Sequence, residues 1–288
     1  MGCIGFSSIN SRGFSKGSLP KFRPPNRTQL KNEGELELFL MHTSDICFFA
    51  ELNDFLPADR KDKLFRCPFK GKPSVKHLIE SLGIPHTEVG LIRVNNKPVG
   101  FTYLLQPDDQ IAVYPAIQEY EGLLGTTRSD FSQTDPCFLL DNHLGKLATY
   151  LRMLGFDVLY RNDYQDDDLV AVLNREKRIL LTRDRRLLMR KVVIFGYWVR
   201  NLDPESQLLE VSRRYDLLDK IIPFRRCLRC NSSLLPIEKE AILHRLQPLT
   251  IRYYDEFHIC PSCDKVYWKG SHLERMQQLI ARLALIRR

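Results

Sequence analysis

No stretch of the 288 residues approaches the roughly 18 to 20 consecutive apolar residues that a membrane-spanning helix requires, and no short apolar segment near Met1 resembles a secretory leader. An intracellular protein with no membrane partner is expected. Acidic residues are missing from positions 1 to 32, which hold six basic residues, five serines and three prolines without hydrophobic periodicity. Such a composition cannot bury a core, so residues 1–34 are expected to form a disordered basic tail. Being rich in Arg and Ser and free of acid, the tail also resembles an organelle transit peptide, beside the cytoplasmic location otherwise expected. Position 6 is Phe6 rather than Ser or Thr, which disfavours myristoylation. Four of the eight cysteines (Cys3, Cys47, Cys67 and Cys137) stand alone, so the chain lacks the spacing of a disulfide framework and suits a reducing compartment.

Charge is present but uneven. The formal net charge is +8, of which +6 falls in residues 1 to 32, −5 in 33 to 134 and +7 in 135 to 288. A basic C-terminal half fits a polyanionic partner such as RNA, and it also fits a solvated basic face.

Residues 45–118 alternate as a small mixed sheet crossed by one helix. Strands are predicted at Ile46 to Leu52, Leu64 to Phe69, Glu88 to Asn95 and Gln110 to Tyr114, with a hairpin turn at Asn95-Asn96-Lys97. The helix opens at Ser74 and carries Val75, Leu78, Ile79 and Leu82 on one face before Gly83 and Pro85. This is a ubiquitin-like order. Residues 119–135, rich in Gly, Thr and Ser, read as a linker.

Beyond the linker, CFLL is a continuous apolar run ended by Asp141, and ILLT is another, followed closely by Asp184. Runs of this kind belong to strands buried on both faces of a parallel sheet, which deliver residues at their carboxyl ends to one ligand-binding edge. Between them, Leu144, Leu147, Ala148, Leu151 and Leu154 form a helical stripe with Lys146 and Arg152 off it, and Asp166 takes the N-cap position of the next helix. A capping role alone would explain Asp166 and its neighbours Asp167 and Asp168. Three carboxylates gathered at one edge repel unless a divalent cation holds them, and hard oxygen ligands suit Mg2+ or Mn2+ acting on a phosphodiester. Lys146, Arg183 and Arg185 lie beside these acids as phosphate-binding cations or as solvated charges, and Asn142, His143 and Thr182 flank the same corner.

CLRC at Cys227 to Cys230 and CPSC at Cys260 to Cys263, 29 residues apart, offer four thiolates to one tetrahedral zinc ion. Closed four-thiolate coordination is structural, so chemistry is sought at the aspartates. Phe257, Tyr267 and Trp268 interleave with Arg252, Lys265 and Lys269, either as ribbon core or as an RNA-stacking surface. From Ser271 onward Leu273, Met276, Leu279, Ile280, Leu283 and Ile286 predict a helix whose apolar face docks on this chain or on a partner.

The motifs DNHLGKLATYLRMLGFD, DDDLVAVLNREKRILLTRDRRLL, RCLRCN and FHICPSCDKVYWKGSH together resemble the Mut7-C RNase family over about residues 136 to 275. SVKHLIESLGIPHTEVGLIRVNNKPV with PDDQIAVYP resembles the beta-grasp domain that accompanies it. The resemblance implies an α/β chain. Its parts would be a PIN-like open parallel sheet with flanking helices over 136–222, a beta-grasp domain over 45–118, a zinc ribbon over 223–275 and a C-terminal helix over 276–288. It implies a metal-dependent ribonuclease with acidic positions at Asp141, Asp166 and Asp184, the middle one open among Asp163, Asp166, Asp167 and Asp168. Small sulfur carriers of the beta-grasp type need a free Gly-Gly end, whereas here the chain continues past YPAIQEYEGLL. That leaves interaction with a protein partner, or regulation, for this domain. A non-catalytic RNA-binding adaptor and a deoxyribonuclease are the competing expectations.

Overall fold

The structure is a computed structural model that describes residues 41–116, 135–270 and 277–282. The basic tail and nearly all of the linker fall outside these residues. From His42 on, the described residues form one compact unit.

The first module contains β1 (Met41–Phe48), β2 (Phe65–Lys70), α1 (Val75–Ser81), β3 (Val89–Val94), β4 (Lys97–Val99) and β5 (Gln110–Pro115). Its sheet runs β2-β1-β5-β3-β4, with β1 and β5 parallel at the centre. Ser74 caps α1 by accepting from His77 N at 3.2 Å. Val75, Leu78 and Ile79 then pack on Ile46, Phe48, Ile111 and Val113. The expected hairpin forms through Asn95 and Asn96, both in the left-handed region (φ 51° and 64°) that a two-residue turn requires. The first strand differs from expectation, ending at Phe48 rather than Leu52. Ala50 turns the chain at φ 48°, and Asn53 Nδ2 donates to Phe48 O (2.9 Å) and Ala50 O (3.1 Å), which folds Ala50–Phe55 into a 3-10 turn.

The second module alternates β6 (Cys137–Leu140), α2 (Gly145–Met153), β7 (Asp157–Leu159), α3 (Asp166–Leu173), β8 (Ile179–Thr182), α4 (Arg185–Leu188), β9 (Gly196–Trp198) and α5 (Pro204–Arg214). All four strands are parallel, in the order β7-β6-β8-β9. Phe138, Leu140, Ile179 and Leu181 pack against α2 and α5 on one face, whereas Leu139 and Leu180 meet Leu169, Val172, Leu187 and Leu188 on the other. Burial on both faces is why CFLL and ILLT show no alternation. Strand β9 was not anticipated, because three residues are too few to carry a period.

A tight crossing follows α2. Gly155 sits at φ +98°, and a Cβ there would lie 1.9 Å from Ile222 O. Left-handed backbone alone penalises an L side chain by about 1–2 kcal/mol. Gly155→Ala should therefore lower the urea midpoint by at least that equivalent with an unchanged slope, and an unchanged midpoint would show that neither the left-handed backbone nor the Ile222 carbonyl penalises the added Cβ.

The C-terminal module holds β10 (Leu235–Ile237), α6 (Lys239–Ile242), α7 (Pro248–Tyr253), β11 (Phe257–Ile259) and β12 (Val266–Trp268), its strands antiparallel in that order. The two short helices between β10 and β11 were not read from the sequence. Residues 277–282 are helical (α8), with Leu279 buried in the core of the second module and Ile280 packed against it. This part of the final helix docks on the chain itself, and the remaining residues of that stripe lie outside the described residues.

Candidate active site

Strands β6 and β8 are neighbours and end together. Leu139 and Leu180 face α3 and α4, so alternation points Asp141 and Thr182, two residues further on, the same way. Asp141 is 6% exposed and accepts three hydrogen bonds: His143 N to Oδ1 at 2.9 Å, and Thr182 Oγ1 and Arg183 N (3.0 Å) to Oδ2. A carboxylate offers about four lone-pair sites, so Oδ1 retains about one. Asp184 is the N-cap of α4. Its Oδ1 accepts from Arg186 N at 2.7 Å, and its own amide donates to Thr182 Oγ1 at 2.9 Å. Thr182 thus links the Asp141 carboxylate to the main chain of Asp184 at one corner.

Asp166 stands differently. The N-cap is Gln165 rather than Asp166, because Asp168 Oδ2 accepts from Gln165 N at 3.0 Å and closes the first turn from inside. Asp163 is paired with Arg161 at 2.6 Å, while Asp166 and Asp167 each meet Arg190 at 3.4 Å. No three carboxylates among the described residues bring their oxygens within 4.8 Å of one another. Arg190, just beyond the end of α4, was not anticipated in this role, since 24 residues separate it from Asp166 and leave no local pattern.

Of the cations, Lys146 is exposed and makes no ion pair among the described residues. The Arg183 guanidinium donates to Asn201 O at 3.3 Å. Arg185 lies 3.8 Å over the Trp198 ring and 4.8 Å over Phe55, where burial and then Arg200 lower its pKa. It is a packing piece between the first two modules. Asn142 Nδ2 donates to Tyr164 O at 3.4 Å, tying the end of β6 to the loop before α3, and His143 is exposed.

The four cysteines do converge. All four Sγ atoms lie within 4.8 Å of one another, with Cys227–Cys263 at 3.5 Å and Cys230–Cys260 at 3.4 Å. A zinc tetrahedron with Zn–S near 2.3 Å has edges of about 3.8 Å, so the donor set and its spacing fit zinc. Compared with known families, residues 136–280 match the Mut7-C RNAse domain and residues 41–121 match the Mut7-C ubiquitin domain. The chain belongs to the Mut7-C RNAse family. No curated protein and no solved structure matches it.

The cysteines of this Mut7-C ribbon do not shed their protons alike. Burial, with Cys227 and Cys260 adding to it, pushes Cys263 up to about 12, whereas at Cys230 burial is outweighed by the hydrogen bonds from Ser232, Cys260 and Cys227 together, which bring it down to about 6. A divalent cation is what lets four adjacent thiolates coexist. The ribbon is also wired to the Mut7-C RNAse sheet. Arg152 is 5% exposed; its Nη1 donates to Leu228 O and Arg229 O (3.2 Å each) and its Nη2 to Val158 O at 2.8 Å. Asn231 accepts from Val158 N at 2.9 Å, and Asp157 pairs with Arg178 (2.7 Å) and Arg226 (3.2 Å). Arg152 is therefore off the apolar stripe without being solvated, a burial that no local pattern signals.

Phe257 is buried, and Tyr267 packs on Cys227 and Cys260, so both serve the ribbon core. Tyr267 Oη accepts from Leu228 N and lies against Cys227 Sγ, both at 3.1 Å. Groups that orient metal ligands typically contribute about 10- to 100-fold to affinity. Tyr267→Phe should weaken zinc retention by that factor in competition with a chromogenic chelator; equal retention would reduce Tyr267 to packing.

Proposed function

We propose that the chain is a Mg2+- or Mn2+-dependent ribonuclease that hydrolyses RNA phosphodiester bonds at the Asp141–Asp184 corner, with structural zinc in the four-cysteine clip. The observation that carries this reading is the Asp141–Thr182–Asp184 link at the carboxyl edge of an all-parallel sheet in the Mut7-C RNAse module.

Carboxylate oxygens suit a hard cation, and Mg2+ commonly takes one or two of them while keeping several waters. Asp141 and Asp184 are enough to begin such a site. Asp166 completes the acidic set by leaving Arg190, because an ion pair with about half of each side chain exposed contributes at most about 1 kcal/mol. When bound, the ion would polarise a phosphoryl oxygen and lower the pKa of a coordinated water. The protein's own residues do the holding. Thr182 Oγ1 and the Arg183 amide fix the Asp141 carboxylate, Lys146 and Arg183 hold flanking phosphates, and Arg185 adds its charge from the stack on Trp198.

One observation favours the second reading, an RNA-binding adaptor that does not cut: Asp166 is paired with Arg190 instead of joining the corner. The two readings separate when the full chain is incubated with labelled RNA and DNA of one sequence in Mg2+ or Mn2+. Shortened RNA with intact DNA is expected. RNA bound but never cut would support the adaptor, and equal cutting of both would make the protein a general nuclease.

A further inference from the structure

Glu88 belongs to the beta-grasp module, directly before β3, and is fully buried. Its side-chain partners lie in the other module. Oε1 accepts from Trp198 N at 2.7 Å, and Oε2 lies 3.5 Å from Arg200 Nη2. A buried carboxylate is tolerated only with such partners, so this one ties the beta-grasp module to strand β9 rather than to its own sheet. Neighbouring ties run the same way. His86 bridges Glu80 Oε1 and Val193 O, both at 2.8 Å; Arg200 reaches Asp54 at 2.9 Å; and Arg214 reaches Glu51 at 3.0 Å.

Trp198 carries the connection onward. It pairs with Thr182 in the β8–β9 ladder, and its indole Nε1 donates to Arg183 O at 3.2 Å. Arg183 N in turn donates to Asp141 Oδ2 at 3.0 Å. Arg183 is therefore gripped through its carbonyl by Trp198 and through its amide by Asp141. Phe55 of the beta-grasp module packs against the indole, with ring centroids 4.9 Å apart.

We propose that the beta-grasp module acts within its own chain as a clamp on the candidate active site: Glu88 fixes Trp198, and Trp198 is a positioning residue that holds the Thr182–Asp184 turn around Asp141. The proposal rests on the reading of Asp141 as a catalytic residue and gives the beta-grasp module a role in that same site. Reacting groups misplaced by about 1 Å can slow a reaction about a hundredfold, so a turn freed from Trp198 loses rate rather than substrate affinity.

Trp198→Phe keeps an aromatic ring beneath Arg185 and removes the indole N–H together with the pyrrole half of the ring system. In the full chain it should lower kcat about ten- to hundredfold with KM within about twofold. Amide hydrogen exchange should quicken at Arg183 and Asp184 while the β1 and β5 amides keep wild-type protection. Glu88→Ala should give the same local change, and Glu88→Gln, which keeps an acceptor for Trp198 N, a smaller one. Unchanged kcat and unchanged exchange in Trp198→Phe would overturn the clamp. If the wild type does not cut RNA at all, the nuclease reading fails by itself and exchange decides the clamp: quickening confined to Arg183 and Asp184 supports it, and no change overturns it.

Discussion

Asp141→Asn should lower RNA cleavage about a thousandfold or more. The substitution keeps the shape of the side chain but exchanges one acceptor oxygen for an NH2 donor, in a site where three donors already converge: His143 N, Thr182 Oγ1 and Arg183 N. Whichever way the amide turns, it opposes a backbone N–H in a pocket only 6% exposed. One unpaired buried donor costs about 1–3 kcal/mol of stability. The larger loss is chemical. A metal-held phosphoryl oxygen is worth several kcal/mol in the transition state, and each 1.36 kcal/mol is about tenfold in rate. Asp184→Asn separates the two effects, since Asn caps a helix about as well as Asp. Its urea midpoint should stay within about 0.5 kcal/mol of wild type while cleavage falls comparably. Wild-type rates in both variants would remove the corner from the reaction.

The second large effect belongs to the zinc clip. Cys227 and Cys260 are fully buried, and replacing both with Ser should reduce zinc from about one equivalent to none by metal analysis. Structural zinc contributes about 10–16 kcal/mol in isolated zinc modules, and that binding energy is folding energy. The ribbon strands should therefore melt in the double variant. The loss should spread to β7, because Arg152 Nη1 gives up the Leu228 and Arg229 carbonyls and Val158 N gives up Asn231. Strands β1 and β5, which pack in a separate core, should keep their exchange protection. Full zinc retention in the double variant would refute the assignment.

What could be read without coordinates shares one property: it is written in consecutive residues. CFLL and ILLT declare strands buried on both faces, Ser74 declares the start of α1, and two CxxC turns declare a clip. What escaped reading is long-range. Arg152 looks like a solvated helix residue until the ribbon covers it, and Gln165 displaces Asp166 as cap because Asp168 reaches back. The Glu88–Trp198 hydrogen bond spans 110 positions and the Trp198–Arg183 bond 15, and neither distance imposes a period. In each case a contact made by packing overrides the role suggested by sequence neighbours.

Hydrolysis supported by a divalent ion at the Asp141–Asp184 corner is tested by a Mn2+ titration. The full chain, freed of Mg2+ and Mn2+ but still holding about one equivalent of zinc, is mixed with labelled single-stranded RNA and Mn2+ is added stepwise. Hydrolysis of that kind gives no cleavage at the start, saturable cleavage as Mn2+ rises, and no such response in Asp184→Asn. Undiminished cleavage before any Mn2+ is added, or a full response in Asp184→Asn, would contradict it.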